Sequence, residues 1–191
     1  MLLLGHVGYT VGGGWATQRL GVKRHIDFRL LALMAILPDI IDRSLFLLVP
    51  DASSGHLIAH TLLFQLLLLA VLVAIRREFW IYGVASMLHL LLDVQGLSAE
   101  GVFWPLLGWD LALIGIMDAD VVTAGQSFLD RFWDRFGAES DNYFNAGARA
   151  LLLDLGGLVI LATFAAANRL FRRRRLLSFA RDGRSSPTDH G

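Results

Sequence analysis

The chain has 191 residues, no cysteine, a formal net charge of zero and 55% hydrophobic residues, with a mean hydropathy of +0.55. Such hydropathy excludes an ordinary soluble domain and predicts a single domain with several membrane-spanning helices. The absence of cysteine excludes disulfides and thiolate metal ligands, and the neutral charge gives no general attraction to nucleic acid.

Five apolar segments approach or reach the length of about 20 helical residues that a bilayer requires. The first is glycine-rich and marginal, and Pro38 predicts a kink in the second near Leu37. The turn before the third predicts a helix N-cap at Ser53 or Ser54. The predicted spans are 1–18, 30–49, 56–75, 79–96 and 148–170.

The region 97–147 separates the last two spans and has a mixed character. Its apolar run 106–117 is short and interrupted, so it is either a re-entrant or interfacial piece or a further crossing. Aromatic residues recur at helical spacing from Phe128 to Phe136, which predicts an amphipathic helix in the membrane interface. We therefore predict an all-α membrane bundle of four to five spans, forming one domain over 1–170, with one interfacial helix.

Basic residues form three blocks, at 19–29, at Arg76-Arg77 and in the tail that follows the last span. The positive-inside rule places all three blocks in the cytoplasm, with the N-terminus and the 97–147 loop outside. The polar composition of 171–191 predicts a disordered tail. We expect its basic run to contact anionic lipid headgroups; this run is Arg172, Arg173, Arg174 and Arg175.

Seven ionisable side chains fall at one level of the predicted bundle. By the helical rise of 1.5 Å per residue, all of them lie within about 15 Å of the outer surface. Each aspartate inside a span costs about 2.5–3.5 kcal/mol on insertion, so the set needs mutual compensation, which a divalent cation provides. The candidate metal ligands are His6, Asp39, Asp42, His56, His60, His89 and Asp93.

Imidazole and carboxylate ligands together fit Zn²⁺ best, with Mn²⁺ or Fe²⁺ as alternatives. Seven candidate ligands exceed the needs of one tetrahedral ion, so the site holds one or two ions. His56 and His60 are four residues apart, and we expect both to project from one face of a helix.

Several of these motifs, taken together over residues 1–120, resemble the membrane-bound metal-dependent hydrolases, a group that includes the LexA-binding, inner-membrane-associated hydrolases. The resemblance rests on His6 before a glycine-rich stretch, Leu-Pro-Asp-x-x-Asp at 37–42, His-x-x-x-His-Thr at 56–61, His-x-x-x-Asp at 89–93 and Trp104-Pro105. It implies hydrolytic activity in a prokaryotic cytoplasmic membrane, and Asp118 matches a further aspartate of the family. The family commonly has His-Arg-Gly-x-Thr-His where this chain reads His-Leu-Ile-Ala-His, which removes a contact to phosphate or substrate.

The leading hypothesis is an integral membrane hydrolase that activates water near the outer interface and acts on a lipid or lipid-linked phosphoester. Asp39 or Asp118 is the candidate general base or orienting carboxylate. Intramembrane acids and histidines are equally typical of ion or proton pathways. A third alternative is a non-catalytic membrane scaffold in which the metal only joins helices.

Overall fold

A computed structural model of the chain describes residues 3–21, 25–49, 56–93, 98–114, 127–145 and 147–185. Every regular element in these ranges is helical, which confirms the all-α prediction. The helices are α1 Leu3–Arg19, α2 Phe28–Leu48, α3 Leu62–Ile75, α4 Trp80–Asp93, α5 Ala99–Val102, α6 Phe128–Phe144, α7 Ala148–Ala167 and α8 Arg173–Asp182.

Among the described helices, α7 alone is both long enough and apolar enough to cross a membrane by itself. Helix α3 is strongly apolar but has only 14 residues, and α1 has 17 residues with several glycines. Helix α2 is 21 residues long and continues through Pro38, with acidic and basic side chains in its second half. A bundle of four to five spans therefore stays a prediction.

The chain divides into two compact units, and the first combines Met1–Ile36 with Ala148–Gly191. In this unit α1 packs against α7. The backbones are so close that a Cβ atom on Gly157 would lie 2.5 Å from the carbonyl oxygen of Leu4. Asp154 accepts a hydrogen bond of 2.5 Å from the Gly5 N–H, and so satisfies one of the N–H groups that the first turn of α1 leaves open.

The end of the first unit differs from the sequence prediction, because the expected disordered tail contains helix α8. Gly183 ends this helix in the left-handed conformation, with a φ of 65°. The Arg29 guanidinium donates to the carbonyl oxygens of Ala180 and Arg181, at 2.5 and 2.9 Å. These contacts satisfy carbonyls that a helix end leaves open, and they hold the C-terminal end of α8 in place.

The second unit is the continuous stretch Leu37–Gly147, in which α3 and α4 pack as an antiparallel pair. The predicted amphipathic helix is present as α6, and its Arg135 donates hydrogen bonds to the carbonyl oxygens of Phe46 and Val49 at the end of α2. The predicted run 106–117 is described only as far as 114, where it forms turns and a 3₁₀ segment at Leu111–Ile114. Asp118 lies outside the described residues.

Candidate metal centre

Two helices present acidic and imidazole side chains of the second unit at spacings that share a helix face. Helix α2 carries Asp39 and Asp42, three residues apart, and α4 carries His89 and Asp93, four residues apart. Side chains at these spacings are neighbours on the helix surface. The His89 Nε2 and the Asp93 Oδ2 are 3.6 Å apart.

Further imidazole side chains of the cluster come from a short segment before α3, and not from a helix that begins at His56. Residues Ile58–His60 form a 3₁₀ turn, and Thr61 then adopts an extended conformation. The Thr61 hydroxyl accepts a hydrogen bond from the Phe64 N–H at 3.1 Å, so Thr61 is the N-cap of α3. The prediction of a helix starting at His56 is therefore wrong. The predicted caps Ser53 and Ser54 lie outside the described residues.

The Asp42 carboxylate holds this segment in place by hydrogen bonds to the main chain of residues 57–60. The Oδ2 atom accepts from the N–H groups of Leu57 and His60, at 2.7 and 3.1 Å, and the Oδ1 atom accepts from the Ala59 N–H at 2.8 Å. Asp42 is fully buried. Three main-chain donors around one carboxylate form an anion-binding concavity that compensates the cost of burying the charge.

The same carboxylate fixes the orientation of one imidazole. Asp42 Oδ2 lies 2.6 Å from His60 Nδ1, and a carboxylate at this position accepts the Nδ1 proton. The Nε2 atom of His60 then presents its lone pair to the opposite side of the ring. A carboxylate behind a histidine in this arrangement is typical of metal centres, where it sets the tautomer and raises ligand basicity.

Potential ligand atoms of neighbouring residues lie on the Nε2 side of that imidazole. His60 Nε2 is 3.2 Å from His89 Nε2, and Asp39 Oδ1 is 3.7 Å from each of these nitrogens. Ligands about 2.0–2.1 Å from a tetrahedral Zn²⁺ are separated by about 3.3–3.4 Å. The three separations among Asp39, His60 and His89 are close to the edges of such a tetrahedron, and Asp93 Oδ2 lies 3.6 Å from His89 Nε2, so these residues fit a bound ion.

His56 joins the cluster from the segment before the 3₁₀ turn. Its ring centroid is 4.6 Å from that of His60 in an edge-to-face arrangement. One ligand atom from each of Asp39, His56, His60 and Asp93 lies within 4.8 Å of the others. The two histidines thus meet because the chain turns between them, and not because they share a helix face.

Burial and charge distinguish the members of this cluster. His60 and His89 are almost completely buried, whereas His56 is half-buried. Asp39 also lies beside Arg43, with 3.6 Å between Oδ1 and Nε, and the Arg43 side chain is 42% exposed. The cluster therefore has a buried histidine side and an accessible side that carries one guanidinium.

The structure brings together five of the predicted ligands, which are Asp39, His56, His60, His89 and Asp93. Asp42 lies behind His60 and uses both oxygens for hydrogen bonds to residues 57–60. His6 is fully buried in α1 of the first unit, and its role as a metal ligand stays a prediction.

Sequence reasoning missed Gln65, a fully buried residue of α3. Its side-chain Nε2 donates a 2.8 Å hydrogen bond to the Ala59 carbonyl oxygen, so it holds the segment 57–60 in addition to Asp42. The sequence did contain a sign of this role, because Gln65 is the one polar residue among the 14 residues of α3. A lone amide in an apolar helix requires a hydrogen-bond partner.

Comparisons with known proteins identify one relationship. A family model described as YdjM inner membrane protein matches residues 1–171, which cover every helix described except α8. No curated protein and no solved structure matches the chain significantly.

Proposed function

The chain belongs to the YdjM inner membrane protein family, and from this premise we propose that it is a membrane hydrolase that uses a divalent metal ion. The observation that carries the proposal is that Asp39, His60 and His89 lie at separations close to those of a tetrahedral site, with Asp93 beside His89. Ionisable side chains within membrane segments are costly and are typically functional. A cluster of four is therefore better explained by a ligand than by packing.

We assign the four converging side chains as metal ligands and His56 as a further ligand at the accessible side. Asp42 is assigned a different role from the sequence prediction, because its oxygens already accept bonds from main-chain N–H groups and from His60 Nδ1. It orients His60 and fixes the tautomer in which Nε2 is the coordinating nitrogen. Nitrogen and oxygen ligands favour Zn²⁺, with Mn²⁺ or Fe²⁺ as alternatives, in one or two sites.

A divalent ion held by these residues would supply Lewis-acid activation of water and of the substrate. The residues of the chain supply position and proton transfer. Asp39 is the candidate general base in place of its ligand role, because its Oδ1 lies 3.7 Å from His60 Nε2 and 3.6 Å from the Nε of the half-exposed Arg43. The Arg43 guanidinium is placed to bind an anionic group of a substrate. Asp118 remains a second candidate for the base.

The substrate class follows from the membrane setting. In the predicted spans the cluster lies within about 15 Å of one surface, a depth at which lipid headgroups are reached more readily than dissolved metabolites. We propose a lipid or lipid-linked phosphoester as the substrate. A metal ion and a nearby arginine both stabilise the charge that develops on a phosphoryl group.

The metal assignment is tested by mass spectrometry of the purified protein. We expect near-stoichiometric transition metal in the wild type and loss of most of it in His60→Ala and Asp93→Ala. His25→Ala is the matched control, because His25 is exposed and lies in the first unit. Full metal retention in both cluster variants would contradict the proposal.

The activity is tested on a panel of lipid phosphoesters in detergent and in nanodiscs, with and without chelator. Metal-dependent turnover that is lost in Asp39→Asn supports hydrolysis. Metal flux into proteoliposomes without any turnover would favour a transport pathway instead. Chelator-induced unfolding without turnover would favour a metal-joined scaffold.

The side of the membrane on which the site lies decides which substrates reach it. We propose four to five spans with a cytoplasmic C-terminus and an outward-facing site, because the basic blocks at 19–29, 76–77 and 172–175 share one side in this topology. A C-terminal green fluorescent protein fusion should be bright, and a C-terminal alkaline phosphatase fusion should be inactive. The opposite pattern would place the site in the cytoplasm.

A further inference from the structure

Helix α8 is attached to the first unit by a set of polar contacts at its C-terminal end. Gly183 donates its N–H to the Phe179 carbonyl oxygen and accepts from the Phe28 N–H, both at 2.7 Å. Arg29 binds the last carbonyl groups of the helix, and Asp27 holds the Arg29 guanidinium through contacts of 2.7 and 3.1 Å. We call Asp27, Arg29 and Gly183 the latch.

The latch tolerates little change at its centre. A Cβ atom on Gly183 would overlap the Asp27 carboxylate, and the left-handed φ of 65° at this position disfavours a side chain in any case. The guanidinium of Arg29 lowers the pKa of Asp27, mainly through their side-chain hydrogen bond. The latch is thus a specific contact and not a chance encounter of two polar surfaces.

Phe179 fixes the rotation of α8 about its own axis. Its ring packs edge-to-face on Phe164 of α7, with 6.0 Å between centroids, and Phe164 is only 4% exposed. With Phe179 turned inward, Leu176 and Leu177 remain 51% and 60% exposed. An apolar pair exposed on a short, tightly held helix indicates a surface that has a partner.

Charge and position indicate which partner covers this surface. Arg173 and Arg174 are exposed beside the two leucines. Only five residues, 168–172, separate α8 from the end of α7, the helix most capable of crossing the membrane. A basic amphipathic helix this close to the end of a span meets the lipid surface, where leucines enter the acyl boundary and arginine side chains extend to headgroups.

We propose that α8 is a membrane-surface helix that binds the anionic leaflet in which α7 ends, with Leu176 and Leu177 inserted and Arg173 and Arg174 on the headgroups. The latch sets its rotation so that this face meets the lipid. This function is independent of the metal centre. It adds to the predicted headgroup contact of the arginine run a defined lipid-facing side and a set of contacts that orients the helix.

The absence of cysteine from the chain allows a direct test in the full-length protein. Leu177→Cys and Ser178→Cys are labelled separately with an environment-sensitive fluorophore and reconstituted in nanodiscs with anionic or neutral lipid. Quenching by brominated acyl chains then reports the depth of each label. We expect quenching at position 177 that is at least about twofold stronger than at 178, and stronger in anionic lipid.

Two further variants separate headgroup binding from orientation. Arg173→Gln combined with Arg174→Gln should abolish the difference in quenching between anionic and neutral lipid. Arg149→Gln, at the opposite end of α7, should leave this difference unchanged. Gly183→Ala should reduce the contrast between labels at positions 177 and 178, because the rotation of α8 is no longer fixed.

Three results would overturn the proposal. The first is equal exposure of the two labels to water in both lipids. The second is equal lipid contact of the two labels in the unaltered latch background. The third is protection of position 177 that depends on protein concentration and not on lipid, which would identify a second protein copy as the partner.

Discussion

Replacing Asp42 by asparagine tests whether this residue orients His60 or binds the metal itself. The substitution preserves shape but leaves one acceptor oxygen in place of two. The asparagine amide can take two orientations. In the more favourable one, its oxygen takes the place of Oδ2 and accepts the same three hydrogen bonds. Its NH₂ group then faces the Ala59 N–H, so two donors meet and that N–H loses its acceptor. An unsatisfied buried donor costs about 1–3 kcal/mol, and the loss of charge weakens the other bonds by about 1 kcal/mol more.

We therefore expect Asp42→Asn to destabilise the metal-free protein by about 2–4 kcal/mol. Its metal affinity should fall by about 10–100-fold, the usual effect of altering a carboxylate behind a ligand. Thermal unfolding in chelator measures the first quantity, and metal titration followed by calorimetry measures the second. Saturating metal should still restore full stoichiometry.

Asp39→Asn is the matched comparison, because the Asp39 carboxylate contacts imidazoles and Arg43 instead of main-chain donors. This variant should bind metal much more weakly while its metal-free stability changes little. The reverse pattern at Asp42, with unchanged stability in chelator and complete loss of metal, would refute the reasoning. Asp42 would then be a direct ligand, as the sequence alone predicted.

Three further expectations follow from buried or tightly packed positions. Gln65→Leu removes the side-chain donor that holds the segment before α3 and should weaken metal binding several-fold in the same titration, whereas unchanged affinity would show that this bond is dispensable. Asp27→Asn should lower the melting temperature near neutral pH. The pairing with Arg29 lowers the pKa of Asp27 from the ordinary 3.8. The difference in melting temperature between wild type and variant should therefore be complete above pH 3.8 and disappear as the pH falls below it. A melting-temperature difference that does not depend on pH would argue against the ion pair. Gly157→Val should disrupt the close contact of α1 with α7 and reduce stability by more than about 2 kcal/mol, while Gly13→Val, where a Cβ meets nothing within 4 Å, should have a much smaller effect in the same thermal assay.

The parts of the site that depend on helical periodicity could be predicted from sequence. His89 and Asp93 meet on one face of α4, and Asp39 and Asp42 point from neighbouring positions of α2, because the geometry of a helix fixes these spacings. The grouping of α2, α4 and the segment before α3 around one cluster followed from the cost of isolated charges in apolar segments. The inner membrane assignment, which rested on hydropathy and motifs, is confirmed by the family match.

Long-range contacts set the parts that sequence reasoning missed. The turn at Ile58–His60 forms because the carboxylate of Asp42, about 15 residues earlier, accepts hydrogen bonds from the main-chain N–H groups of this segment. The local helix propensity of residues 56–61 gives no indication of these bonds. The order of α8 depends on Arg29, which precedes it by about 150 residues. Composition describes such a tail as disordered, because composition does not include a distant capping side chain.

The discontinuity of the first unit has a consequence for the order in which the protein assembles. The second unit is one uninterrupted stretch, Leu37–Gly147, whereas the first needs both chain ends. At about 5–20 residues per second, ribosomes take roughly 7–30 s to extend the chain from α1 to α7. During that interval α1 has emerged but the helix that packs on Gly8, and the Asp154 carboxylate that binds its first turn, do not yet exist. The second unit can therefore fold during synthesis, while the first is completed only by the arrival of α7.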